Sequence, residues 1–212
     1  ASEFPVIPLS ESKGVIFTKE SLALSSDILF ASAVDEGRPT LTGILTQVTN
    51  GSLDLVATDG FRLGHRRIKL PNSPGVGFDH LIPKRTFEEI VRILSEDEAE
   101  EVEIQTSESQ NQIIFKIGQT IVSSRLIEGK FPAWEKIIPT KIIARAIVNR
   151  SELLSVVKLA SVFARSEANV VTIKLLTDKL NFSSETKEIG GQQNEISAQV
   201  EGENLQIAFN AK

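Results

Sequence analysis

Two histidines, His65 and His80, and no cysteine leave little from which to build a metal or thiol site. The sequence holds no G-x-S-x-G elbow, no phosphate-binding P-loop and no G-x-G-x-x-G run. Asp59 could be drawn as a general base, but an aspartate in Thr-Asp-Gly is far more often an Asx-turn residue. No cofactor is expected. Thr58-Asp59-Gly60-Phe61-Arg62-Leu63 suggests chemistry of another kind: a tight bend with an aromatic ring, a guanidinium and a leucine at its exit. Glycine permits close backbone approach, the apolar groups supply anchoring area, and the guanidinium supplies orientation. Such a bend docks something. Elsewhere Lys84, Arg85 and Arg92 form a basic stretch on an expected helix, suited to weak contact with phosphates. Arg150 and Lys158 repeat the theme more sparsely on a later helix.

The bend has to be held by strands. Leu41, Ile44 and Val48 lie in a Thr-rich run, and Asn50-Gly51 is a strong hairpin signal. Ser52 to Ala57 alternates polar and apolar, as a half-buried strand does, and a third strand carries Phe61, Arg62 and Leu63 out of the bend. Ahead of these come a strand at Gly14 to Phe17 and a helix capped by Thr18, ending near Val34 with Leu22, Leu29 and Phe30 apolar. The plan then restarts. A strand at Phe78 to Ile82 leads to a helix opened by Pro83, with Phe87, Ile90, Val91 and Leu94 on one face. Strands at Glu101 to Thr106, Gln112 to Ile117 and Thr120 to Ile127 follow, after an acidic loop at Glu96 to Glu101.

A third pass has a strand at Ala144 to Val148 and a helix capped by Asn149 or Ser151 and running through Arg165. Strands are expected at Val170 to Leu176, Lys179 to Ser184 and Glu195 to Val200, with Gly190-Gly191 as a turn. Leu205 to Phe209 reads as the opening of a fourth copy. Ala1 to Pro8 reads as a linker, Pro71 to Gly75 as a loop, and Glu128 to Thr140 as irregular, with Trp134 inside it. Repeats of this size need to pair in order to bury a helix and a sheet. The expected organisation is a complete domain over 1–127, a connector over 128–140 and half of a further domain over 141–212. That half should leave core surface exposed.

Composition bounds the reading. In 212 residues the hydrophobic fraction is 41% and the charged fraction 24%, enough for a sizeable core in a cytoplasmic globular protein. The net charge of −5 argues against coating nucleic acid by bulk electrostatics, but leaves room for a small basic face. No apolar run approaches the ~20 residues that span a bilayer. Met is absent even at position 1, so the sequence is expected to be a piece of a longer one. From the residues alone, an α+β ligand-binding or enzymatic domain with its pocket at the bend, or a purely structural module, stays open.

RPTLTGIL, VATDGFRL and GKFPAWEKIIP, in this order and spacing, resemble the bacterial sliding clamp, the beta subunit of DNA polymerase III. The likeness covers nearly the whole chain, as the family's second domain and the first half of its third. It implies an α+β DNA-clamp fold, with helices on the inner face and antiparallel sheets outside. It also implies a non-enzymatic processivity factor whose full-length subunits close as a homodimeric ring around double-stranded DNA, gripping only the phosphate backbone. Ring closure is not expected of this piece. Polymerase and clamp-loader peptides would dock at Leu41, Thr58, Gly60, Phe61, Arg62, Leu63, Pro132, Trp134, Lys136 and Ile137. Phe61 stands where the family often has histidine. Lys84, Arg85 and Arg92, with Arg150 and Lys158, would face DNA, and Phe163 and Ala164 would lie near the subunit interface.

Overall fold

A computed structural model describes residues 14–70, 78–107, 111–165, 169–186 and 190–211. The linker expected at 1–8 and the loop at 71–75 lie outside the described residues. The chain divides into two units after Trp134.

In the first unit, β1 (Val15–Thr18) runs into α1 (Lys19–Ala23), and the Thr18 hydroxyl accepts the Ser21 N–H at the helix start. The expected helix to Val34 does not form. After five residues it gives way to 3-10 turns at Leu24–Asp27 and Leu29–Ala31. Ser25, Ser26 and Asp27 compete for backbone groups and weaken the helix. Tertiary contact then decides the path: a Cβ on Gly64 would stand only 3.0 Å from Ile28 Cβ, so the segment lies directly on the sheet. Phe30 is thereby turned outward and is exposed, against the apolar role expected of it.

Next come β2 (Gly43–Thr49), β3 (Ser52–Thr58) and β4 (Leu63–Lys69). Asn50 and Gly51 join β2 to β3 with φ of 51° and 74°, the left-handed pair of a type I′ hairpin. After β5 (Phe78–Pro83), α2 (Lys84–Glu96) buries Thr86, Phe87, Ile90 and Leu94 along one stripe. β6 (Glu101–Ser107), β7 (Gln112–Ile117) and β8 (Thr120–Arg125) complete the unit.

The two repeats exchange their first strands. The sheets run β1-β6-β7-β8 and β4-β3-β2-β5, so each repeat begins in the other's sheet. Neither repeat can close its sheet alone, which is the physical content of the expected pairing. The inner faces of both sheets, carrying Ile44, Leu53, Leu55, Ile104 and Phe115, share one core with Leu22, Phe87, Ile90 and Leu94 of the helices.

β3 departs from the expected half-buried strand. Its residues from Leu53 to Thr58 are all buried. Val56 faces away from the main core and joins a second cluster with Leu45, Leu81, Ala33, Leu41, Phe131 and Trp134. The irregular segment before Trp134 therefore covers the outer face of the sheet.

In the second unit, β9 (Ala144–Val148) precedes α3 (Arg150–Ala164), and Asn149 Oδ1 accepts the N–H groups of Ser151 and Glu152. Asn149, not Ser151, is the cap. β10 (Val170–Leu175), β11 (Lys179–Thr186), β12 (Gly190–Gly202) and β13 (Leu205–Asn210) follow, in the order β13-β10-β11-β12-β9. Gly190 and Gly191 are not a turn. They lie in β12 opposite Thr186 and Glu185, because β11 is long enough to give them ladder partners. β13 joins β10 as β5 joins β2.

The core here is small: Ala160, Ala164, Val171, Leu180, Phe182 and Ile196. Ile147, Leu154, Val162 and Phe209 stay exposed. Among the described residues no helix is long and apolar enough to cross a membrane.

Candidate functional site

The bend between β3 and β4 is built by its own side chains. Thr58 Oγ1 donates to the Arg62 carbonyl at 2.7 Å and accepts the Gly60 N–H at 3.1 Å. Asp59 Oδ1 accepts the N–H groups of Phe61 and Arg62 at 2.9 and 3.0 Å. Asp59 is thus an Asx-turn residue. Its Oδ2 also accepts Arg62 Nε at 3.0 Å, and the Arg62 guanidinium lies 5.8 Å over the Phe30 ring. Gly60 sits at φ +92°, which suits glycine, and a Cβ there would meet Arg38 Nη1 at 3.0 Å.

The ten expected docking residues sort by exposure. Phe61 is 94% exposed, and Gly60, Arg62 and Pro132 are also open to solvent. Leu63 is half-buried, while Leu41, Thr58 and Trp134 are buried. Thr58 pins the turn, and Leu41 and Trp134 form the floor behind it. Lys136 and Ile137 are exposed and belong to the second unit. Sequence reasoning missed Phe30 and Arg38, because no local pattern brings either to the bend.

A polar cluster behind the floor was also missed. Asp54, in β3, is buried and accepts from His65 Nε2 at 2.6 Å and from Arg67 at 2.7 and 3.1 Å. Burial by itself would raise the Asp54 carboxyl, but the hydrogen bonds and charge of Arg67 and His65 outweigh it and hold it below the ordinary range. A depressed folded-state value makes a contribution that is complete above about pH 4 and lost as pH falls through the folded value. Asp54→Asn should therefore cost about 1–3 kcal/mol in urea unfolding at pH 7, with the gap from the native protein narrowing as pH falls through the lowered folded-state value.

On α2, Lys84 pairs with Glu88 at 3.6 Å, and Arg92 is gripped by Glu89 and Glu96. The Glu89 hydrogen bond leads in pushing the Arg92 value up. Arg85 is exposed. Lys19, the one cation of α1, donates to the Asp97 carbonyl at 2.6 Å. Arg150 and Lys158 are exposed on α3. Phe163 is half-buried, and Ala164 is buried in the core of its own unit, so it offers no surface to a partner.

Interlocked strand–helix–sheet repeats that exchange their first strands are the architecture of the DNA-clamp class. The crystal structure of the Bacillus subtilis DNA polymerase sliding clamp matches with a TM-score of 0.90 and 32% identity, over 99% of this chain and 56% of that one. The family model for the DNA polymerase III beta subunit central domain matches residues 18–133, and that for its C-terminal domain matches residues 135–212. The chain belongs to the DNA polymerase III beta subunit family. The beta sliding clamp of Bacillus subtilis is 34% identical over 218 residues, covering 100% of this chain and 57% of the relative. That of Chlamydia muridarum is 28% identical over 211 residues, covering 98% and 56%. The chain spans about half the length of the curated relatives it matches.

Proposed function

We propose that the chain is part of a sliding clamp that tethers a replicative polymerase to duplex DNA, holding a short peptide of its partner at the Thr58–Leu63 bend. One observation carries the reading. The bend presents an almost wholly exposed Phe61 beside an Arg62 already oriented by Asp59 and Phe30, over an apolar floor of Leu41, Leu63 and Trp134. An exposed aromatic and a pre-oriented guanidinium supply anchoring area at low ordering cost. Gly60 and Pro132 complete the proposed contact set in the first unit, and Thr58 holds its backbone; Lys136 and Ile137, in the second unit, are proposed contacts on the resemblance alone. The action is mechanical and asks no catalytic group of the chain.

In the longer protein, residues 141–212 would be the first half of a third domain. The exposed Ile147, Leu154, Val162 and Phe209 support that reading, since a second repeat would cover them as β5 to β8 cover the first repeat. Ring closure by two such subunits, and DNA facing Lys84, Arg85, Arg92, Arg150 and Lys158, belong to the same proposal. Phe163 remains the interface candidate.

Fluorescence polarisation with a labelled peptide from a polymerase C-terminal tail tests the docking. Phe61→Ala combined with Arg62→Ala should weaken binding at least about tenfold while leaving the circular dichroism spectrum unchanged. Binding that survives the double substitution counts against the bend as the docking site.

A further inference from the structure

We propose that His65 is a positioning residue for the docking bend, acting through Trp134; the inference rests on the docking reading above. In the β3–β4 ladder His65 lies opposite Val56 and Arg67 opposite Asp54. Strand alternation puts Leu63, His65 and Arg67 on the outer face of the sheet, the face that Trp134 covers. The His65 ring meets the Trp134 indole with centroids 4.4 Å apart and planes inclined at 45°.

That ring has little freedom to turn. An ionised carboxylate only accepts, so the proton in the 2.6 Å contact with Asp54 Oδ1 sits on His65 Nε2. Arg67 grips the same carboxylate, with Nε on Oδ1 at 2.7 Å and Nη2 on Oδ2 at 3.1 Å. Rotating His65 away from the indole would cost a charge-assisted hydrogen bond to a buried carboxylate. A leucine at position 54 would pack the outer face without burying a charge. The carboxylate fits better as the link that ties Arg67 to His65 in a chain running on to Trp134.

Leu41, Val56 and Phe131 belong to the same buried cluster as the indole, and Leu63 packs against that cluster. Leu63 is where the bend enters β4. Holding Trp134 therefore holds the floor beneath Phe61 and Arg62.

The protein reports on itself. Trp134 is its only tryptophan and it has no tyrosine, so intrinsic fluorescence reads this indole alone. His65→Gln keeps a donor for Asp54 but loses the ring, whereas His65→Phe keeps the ring without the donor. The glutamine variant should weaken binding of a labelled polymerase-tail peptide about fivefold and raise acrylamide quenching of Trp134; the phenylalanine variant, whose ring Asp54 no longer holds, should lose about twofold on both, as Arg67→Ala does. Glutamine-variant binding and quenching equal to native overturn the proposal, and equal losses in the two variants overturn the route through the ring.

Should circular dichroism find His65→Gln unfolded, Arg67→Ala takes its place. It loosens Asp54 from an exposed side chain and should move both readouts in the same direction by about twofold. Arg67→Ala at native values then overturns the proposal. A native protein that binds no peptide overturns the docking reading alone, and the quenching comparison still decides whether His65 positions Trp134.

Discussion

Trp134→Ala should lower the unfolding free energy of the first unit by about 3–5 kcal/mol and abolish peptide docking with it. The indole is 5% exposed and closes the outer cluster over Val56, Leu45 and Leu81. Truncation to a methyl group removes most of that lid. The cavity term is large here because β3 and β2 belong to a sheet pinned on its other face by the main core, so the site cannot collapse to fill the space. The measurement is urea unfolding followed by far-ultraviolet circular dichroism, since the substitution deletes the fluorophore. Trp134→Phe should recover most of the stability. A loss under about 1 kcal/mol for the alanine variant would mean that the outer face of the sheet does not depend on this side chain.

The second large effect is a gain. E89Q combined with E96Q should tighten binding to a short linear duplex about tenfold at low salt and steepen the dependence of log affinity on log salt by about 1–2. α2 carries Lys84, Arg85 and Arg92 against Glu88, Glu89 and Glu96, so it has no net charge. Arg92 is the most occupied of its cations, bonded to Glu89 at one end and at 3.2 Å to Glu96 at the other. A phosphate reaching Arg92 has to compete with two carboxylates already in place. Exposed pairs of this kind contribute little to stability, so removing them should leave the melting temperature nearly unchanged while freeing the guanidinium. A clamp that must slide gains from such a weak grip, because tight phosphate contacts would slow it. Affinity unmoved by the double substitution would argue that α2 does not face DNA.

Much of the fold was legible because it rests on local rules. Asn50-Gly51 demands left-handed backbone, and the hairpin is there. Phe87, Ile90 and Leu94 recur at helical spacing, and α2 buries them. Asn149 offers an acceptor at a helix start and caps two N–H groups. The pairing on α2 was legible too: Arg92 stands three residues after Glu89 and four before Glu96, spacings at which helix side chains meet. Counting only the cations concealed it. His65 was weighed as a metal ligand and set aside; its bond to Asp54 depends on a strand register that no local pattern states.

The amino-acid sequence by itself determined the repeat, the positions of its turns, caps and apolar stripes, and the residues of the bend, since each follows from one residue's backbone preference or from a short periodicity. Tertiary structure alone decided the exchange of β1 and β5 between sheets, the early end of α1 against Gly64, and the burial of β3 on both faces beneath Trp134. In each of these the deciding partner lies far along the chain, and the free energy comes from surfaces that meet only once the sheet has formed.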